Sequence, residues 1–196
     1  MKFAAPNVAV LVAAALCWAL LPAGARATSV LPLDLDQIVA GAQQIVHVRC
    51  TGNEVQADPA VRVVTVTQFV VLDRAKGTAG ATFTVRQAGG ELDGVAVDYH
   101  VPKFRVGDEY VLFMPGASKL GLASPVGLAQ GAFAVVPGGV AKEVGNGRDF
   151  AELLPQAQAA TLPPGIAARL QRPRTERLRM DLGDFMTLIR AKAAGR

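Results

Sequence analysis

The chain is poor in the residue types that build most catalytic and metal centres. It holds two cysteines, two histidines and one tryptophan in 196 residues. No Cys-x-x-Cys, His-Glu-x-x-His, phosphate-binding P-loop or Gly-x-Ser-x-Gly nucleophile elbow occurs, so zinc, phosphoryl-transfer and serine-hydrolase chemistry lack their usual sequence anchors. Long hydrophobic runs are equally scarce. The one present, Val8 to Leu21, covers 14 residues against the roughly 20 needed to cross a bilayer as a helix.

That run sits between Lys2 and the small-residue sequence Ala25-Arg26-Ala27, the layout of a cleavable export signal over residues 1–27. The expected mature chain begins near Thr28, has no transmembrane segment, and is periplasmic or secreted. It keeps only Cys50, so no internal disulfide can form and stability has to come from packing. Its 169 residues suffice for one domain with a core of its own.

Charge is divided along the chain. Residues 28–168 carry 10 Lys and Arg against 13 Asp and Glu, whereas residues 169–196 carry 8 against 3. Arg169, Arg172, Arg174, Arg177 and Arg179 form a basic segment that anionic lipid, polysaccharide or an acidic partner would attract. Nucleic acid is not an expected target for an exported protein.

Hydrophobic periodicity gives the elements. Leu35, Ile38, Val39 and Ala42 are spaced as one face of a helix, with Asp34 as its N-cap. The period then changes to two: Val46, Val48 and Cys50 point one way, Ile45, His47 and Arg49 the other. His47 and Cys50 therefore lie on opposite faces and form no local thiol–imidazole pair. Residues 60–74 make the longest β-forming run, and at about 3.3 Å per residue such a strand suits a small coiled barrel. Further strands are expected at 81–87, 95–101 and 109–114, as two short pieces flanking Gly131, and at Val140–Val144. Phe104 and Val106 are expected to staple a loop onto the core. A connector with the basic segment follows over 146–180, with a short helix at Asp149–Leu154, and a helix closes the chain over 181–194. The fold class is mainly β: a small antiparallel, OB-like β-barrel of five to seven strands over 28–145, with an N-terminal and a C-terminal helix.

Candidate chemistry is sparse. Asp98 and His100 fall on one face of an expected strand, where a carboxylate can orient an imidazole. Glu91 and Asp93 lie in "RQAGGELDG", an accessible loop between strands, but Asp93-Gly94 has the form of a hairpin turn. No catalytic residue, metal ligand or cofactor is assigned on this basis. Glu91, Asp93, Asp98 and His100, with Arg172, Arg174 and Arg177, are instead expected contact residues.

The segments "DQIVAGAQQIVHVRC", "VVTVTQFVVLDRAKGTAGATFTVRQAGGELDG", "PKFRVGDEYVLFM" and "GLAQGAFAVV" together resemble a group of uncharacterised exported bacterial proteins. The similarity covers roughly Leu31 to Val136. The strand leading to Lys76-Gly77 also resembles the netrin-type, OB-like barrel of the tissue inhibitors of metalloproteinases. That second resemblance implies a fold, since the expected mature chain starts near Thr28 without the N-terminal cysteine with which those inhibitors chelate zinc. The expectation is an exported, non-catalytic module that binds a secreted protease or envelope component. Two other readings stand beside it: a hydrolase using Asp98/His100 or Glu91/Asp93, and a scaffold held to a surface by the basic segment.

Overall fold

The first helix, α1 (Leu35–Gly41), starts where Asp34 and Gln37 can cap it reciprocally. The Asp34 carboxylate accepts the Gln37 N–H at 2.8 Å, and the Gln37 side chain accepts the Asp34 N–H at 2.9 Å. The computed structural model describes residues 31–154 and 162–195, so the expected export signal at 1–27 lies outside the described residues.

After α1 the chain is mainly β. Two strands of 15 residues each, β1 (Gln44–Asp58) and β2 (Arg62–Lys76), form a long hairpin. They are followed by β3 (Thr82–Ala88), a small hairpin of β4 (Gly90–Leu92) and β5 (Val95–Val97), then β6 (Glu109–Met114), β7 (Ala132–Pro137), β8 (Lys142–Gly145) and β9 (Met180–Asp181). Short helices α2 (Phe150–Leu153) and α3 (Pro164–Leu170) precede β9, and α4 (Leu182–Ala193) closes the fold. The main sheet is antiparallel, with strand order β3-β2-β1-β6-β7-β8-β9; β4 and β5 pair separately.

Both faces of the sheet are covered, and β6 is therefore buried at all six positions. On one face Val111 and Phe113 meet α1, α2, α3 and α4 through Leu35, Ile38, Phe150, Ile166 and Phe185. On the other, Tyr110, Leu112 and Met114 pack with Val46, Val48, Cys50, Phe69 and Phe104. The alternation expected for β1 is what the strand adopts: Ile45 joins the helix-covered core, Val46, Val48 and Cys50 the opposite one.

Several local expectations are corrected. The strand read over 95–101 stops at Val97, because Asp98 turns the backbone and His100 has φ +58°. Val106 is exposed; only Phe104 staples the loop. Of the two pieces around Gly131, only β7 is a strand, since Leu128–Gly131 winds as a 3₁₀ turn. β1 runs eight residues past Cys50, where the sequence has no alternation to mark it. Among the described residues, no helix is long and apolar enough to cross a membrane.

Candidate functional site

Two polar places stand out from the packed sheet. The first is centred on Glu109, at the start of β6. Antiparallel register sets it opposite Arg49 of β1 and Val135 of β7. Its carboxylate accepts bonds from Arg49 Nη2 at 2.7 Å and from Lys142 Nζ at 2.7 and 2.8 Å, and it lies 3.0 Å from His47 Nε2. Burial alone would push this carboxyl up; the bonds from Lys142, Arg49 and His47 outweigh it and hold the group at about 2. All its acceptor positions are occupied, and its partners are committed to it. The arrangement ties β1, β6 and β8 together at one end of these strands.

The second place is a cavity of about 360 Å³ on the Cys50 face, beyond the end of its apolar core. A β-bulge at Thr51 creates its floor. Cys50 pairs with Phe69 and Gly52 with Gln68, so one extra residue reverses the alternation and brings Asn53 and Val55 to the Cys50 side. Asn53 then stands beside Thr67, and Thr65 beside Gln87 of β3. Thr67 donates to Asn53 Oδ1 at 2.7 Å, Asn53 donates to the Phe104 carbonyl at 2.8 Å, and Thr65 donates to the Gly89 carbonyl at 2.8 Å. The floor is polar and uncharged.

The roof is the "GGELDG" stretch. Gly89 and Gly90 have φ +101° and +137° and fold the chain back over the sheet. A Cβ on Gly90 would lie 2.8 Å from Thr65 Oγ1 and 2.9 Å from Val55 Cγ1, and one on Gly89 would lie 2.8 Å from the Val97 carbonyl. Only glycine admits this approach. Leu92 pairs directly with Val95, and Asp93 and Gly94 both have positive φ, the signature of a two-residue type I′ turn. The loop at 98–104 forms the remaining wall, with Tyr99 half-exposed over Gly89 and Phe104 anchored edge-on to Phe69 and Tyr110 at 5.2 and 5.1 Å.

The residues singled out in the sequence divide around this cavity. Glu91 and Asp98 line it; Asp93 sits at the hairpin tip and His100 outside the lining. Asp98 does not orient the imidazole. Its carboxylate accepts the His100 backbone N–H at 2.7 Å, which holds the group below the usual carboxylate range, and Lys103 Nζ stands 3.7 Å away. The arginines lie elsewhere and are paired. Arg177 grips buried Asp149 with two nitrogens, at 2.6 and 2.9 Å, and keeps its carboxyl low. Arg172 bonds Glu176 and Arg174 bonds Glu152, while Arg169 bonds Glu143 of β8. Arg169, Arg174 and Arg177 thus join the basic segment to acidic residues outside it, while Arg172 pairs within it.

Cys50 is buried in its apolar cluster, and that burial pushes its thiol up, the opposite of an activated nucleophile. Among the described residues, no three His, Cys, Asp or Glu side chains gather closely enough to hold a metal ion. Sequence reasoning missed Asn53, Thr65, Thr67 and Gln87 as a set. Their only shared signal was an excess of Thr and amide residues on strands otherwise rich in valine. No protein-family model matches the chain, and no curated protein is similar to it in sequence.

Proposed function

We propose that the chain is an exported, non-catalytic binding module that recognises another secreted or envelope macromolecule through the cavity beneath the β4–β5 hairpin. The observation that carries this reading is the roofed cavity itself. Its floor combines neutral hydrogen-bonding side chains, its walls are apolar and aromatic, and charged groups stand only at the rim, the usual composition of a recognition pocket.

The other two readings have less support. Neither Ser nor Cys is among the residues that line the cavity; the one lysine there, Lys103, is exposed and stands beside Asp98, whose carboxylate is engaged by backbone. The arginines of the basic segment are largely occupied by Glu143, Asp149, Glu152 and Glu176.

Affinity capture from secreted and envelope fractions tests the proposal with the wild type and with Ala96→Trp, whose exposed position in β5 lines the cavity. One or more species should be enriched by the wild type and lost with the filled cavity. Equal capture by both proteins, or none by either, would overturn the reading.

A further inference from the structure

Resting on that reading, we infer that the cavity takes a neutral sugar unit of a glycan, with Gln87 contacting its hydroxyl or acetamido groups. Gln87 is 3 % exposed, yet among the described residues its side chain makes one hydrogen bond, Nε2 to Ser124 Oγ at 3.5 Å, the outer limit of such a bond. A buried carboxamide ordinarily has most of its donors and acceptors satisfied. Here the oxygen has no hydrogen-bond partner among the described residues, and Gln87 is one of the residues that line the cavity. An acceptor and a donor side by side match vicinal hydroxyls or an acetamido group.

The surroundings fit the same chemistry. The Thr65 and Thr67 hydroxyls, which donate to the Gly89 carbonyl and to Asn53 Oδ1, keep acceptor lone pairs among the residues that line the cavity. Tyr99 supplies an aromatic surface with a polar end. At the rim Lys103 offsets Asp98 and Glu91 adds one negative charge, which disfavours phosphorylated or uronic-acid ligands. A peptide docking as an added strand would need a free row of backbone groups. β3 is an edge strand whose outer side accepts the Ala123 N–H at Arg86, and the neutral peptides in the titration below separate strand addition there from sugar binding. The volume, near the lower end of the roughly 300–1,000 Å³ range of ligand sites, suits one ring of a chain.

Titration of the labelled protein with cello-, chito-, malto- and xylo-oligosaccharides, with an acidic oligogalacturonate and with neutral peptides tests the inference by amide chemical shifts. At least one neutral oligosaccharide should shift residues 87–91 and 96–104. Gln87→Leu should weaken it about tenfold, the loss of a buried hydrogen-bond partner. Tyr99→Ala, a change at a half-exposed residue, should weaken it comparably and keeps the test open if Gln87→Leu does not fold. Preferential binding of the acidic sugar or a peptide, or neutral-sugar binding unaffected by Tyr99→Ala, would overturn the inference. If no saccharide binds while Ala96→Trp still abolishes capture of a protein, the sugar inference falls and the cavity reading stands; if capture fails as well, both fall.

Discussion

The two faces of the sheet are finished by different means. On the helix-covered face Phe113, Phe133, Phe150 and Phe185 form one aromatic cluster, with neighbouring centroids 5.0–6.3 Å apart. Aliphatic residues of α1, α3 and α4 complete it, and its buried charged groups are paired, Asp149 with Arg177 and, at one end, Glu109 with Arg49, Lys142 and His47. The opposite face begins in the same way, with Phe69, Phe104 and Tyr110, but then gives out into amides and hydroxyls under a glycine-hinged hairpin. The contrast separates a face that is closed for stability from one that stops short of closing and leaves a cavity.

The largest test of that contrast is a pair of truncations. Phe133→Ala, fully buried among three other rings, should cost about 3–5 kcal/mol in denaturant unfolding, while Phe83→Ala on the half-buried cavity side should cost about 1–2 kcal/mol. Equal losses would erase the distinction.

Glu109→Gln comes next, at about 2 kcal/mol near neutral pH, a figure held down because Arg49 and Lys142 are half-exposed. The folded carboxyl lies at about 2 against an ordinary 4.5, so its contribution is complete above that ordinary value and is lost as pH falls from about 4.5 through about 2. Stability curves of wild type and variant should therefore converge in that window; a constant gap down to pH 2 would show that the ionised carboxylate is not the cause.

Gly90→Ala should cost about 1–2 kcal/mol through its positive φ and the contacts with Thr65 and Val55, and should displace the hairpin. The expected signature is amide shifts confined to the cavity side, with the helix-covered core unmoved. Arg172→Ala should change stability by less than about 0.5 kcal/mol, because its pair with Glu176 is exposed. A large effect there would mean that the basic segment holds the fold together more than its geometry indicates.

Much of this was legible in advance because simple periodicities carried it. The Asp34 cap, the alternation through Cys50, the Asp93-Gly94 turn and the helix that closes the chain follow from local spacing, and the structure has them. The cavity floor was not legible, because it depends on the bulge at Thr51, which reverses a face without any mark in the residue pattern. His47 and Glu109 are 62 residues apart and meet only through the β1–β6 register. Asp98 and His100 misled for the converse reason: two residues apart on an ideal strand they share a face, but Asp98 captures the backbone N–H and ends the strand first.

Site-specific photocrosslinking measures the central claim most directly. A photoreactive residue at position 99, on the cavity wall, and another at the exposed Lys119 position, outside its lining, are compared in the secreted and envelope fractions. The account predicts a discrete adduct from position 99 that Ala96→Trp removes, and none from position 119. Adducts of equal yield from both positions, or an adduct at 99 that persists with the cavity filled, would contradict it.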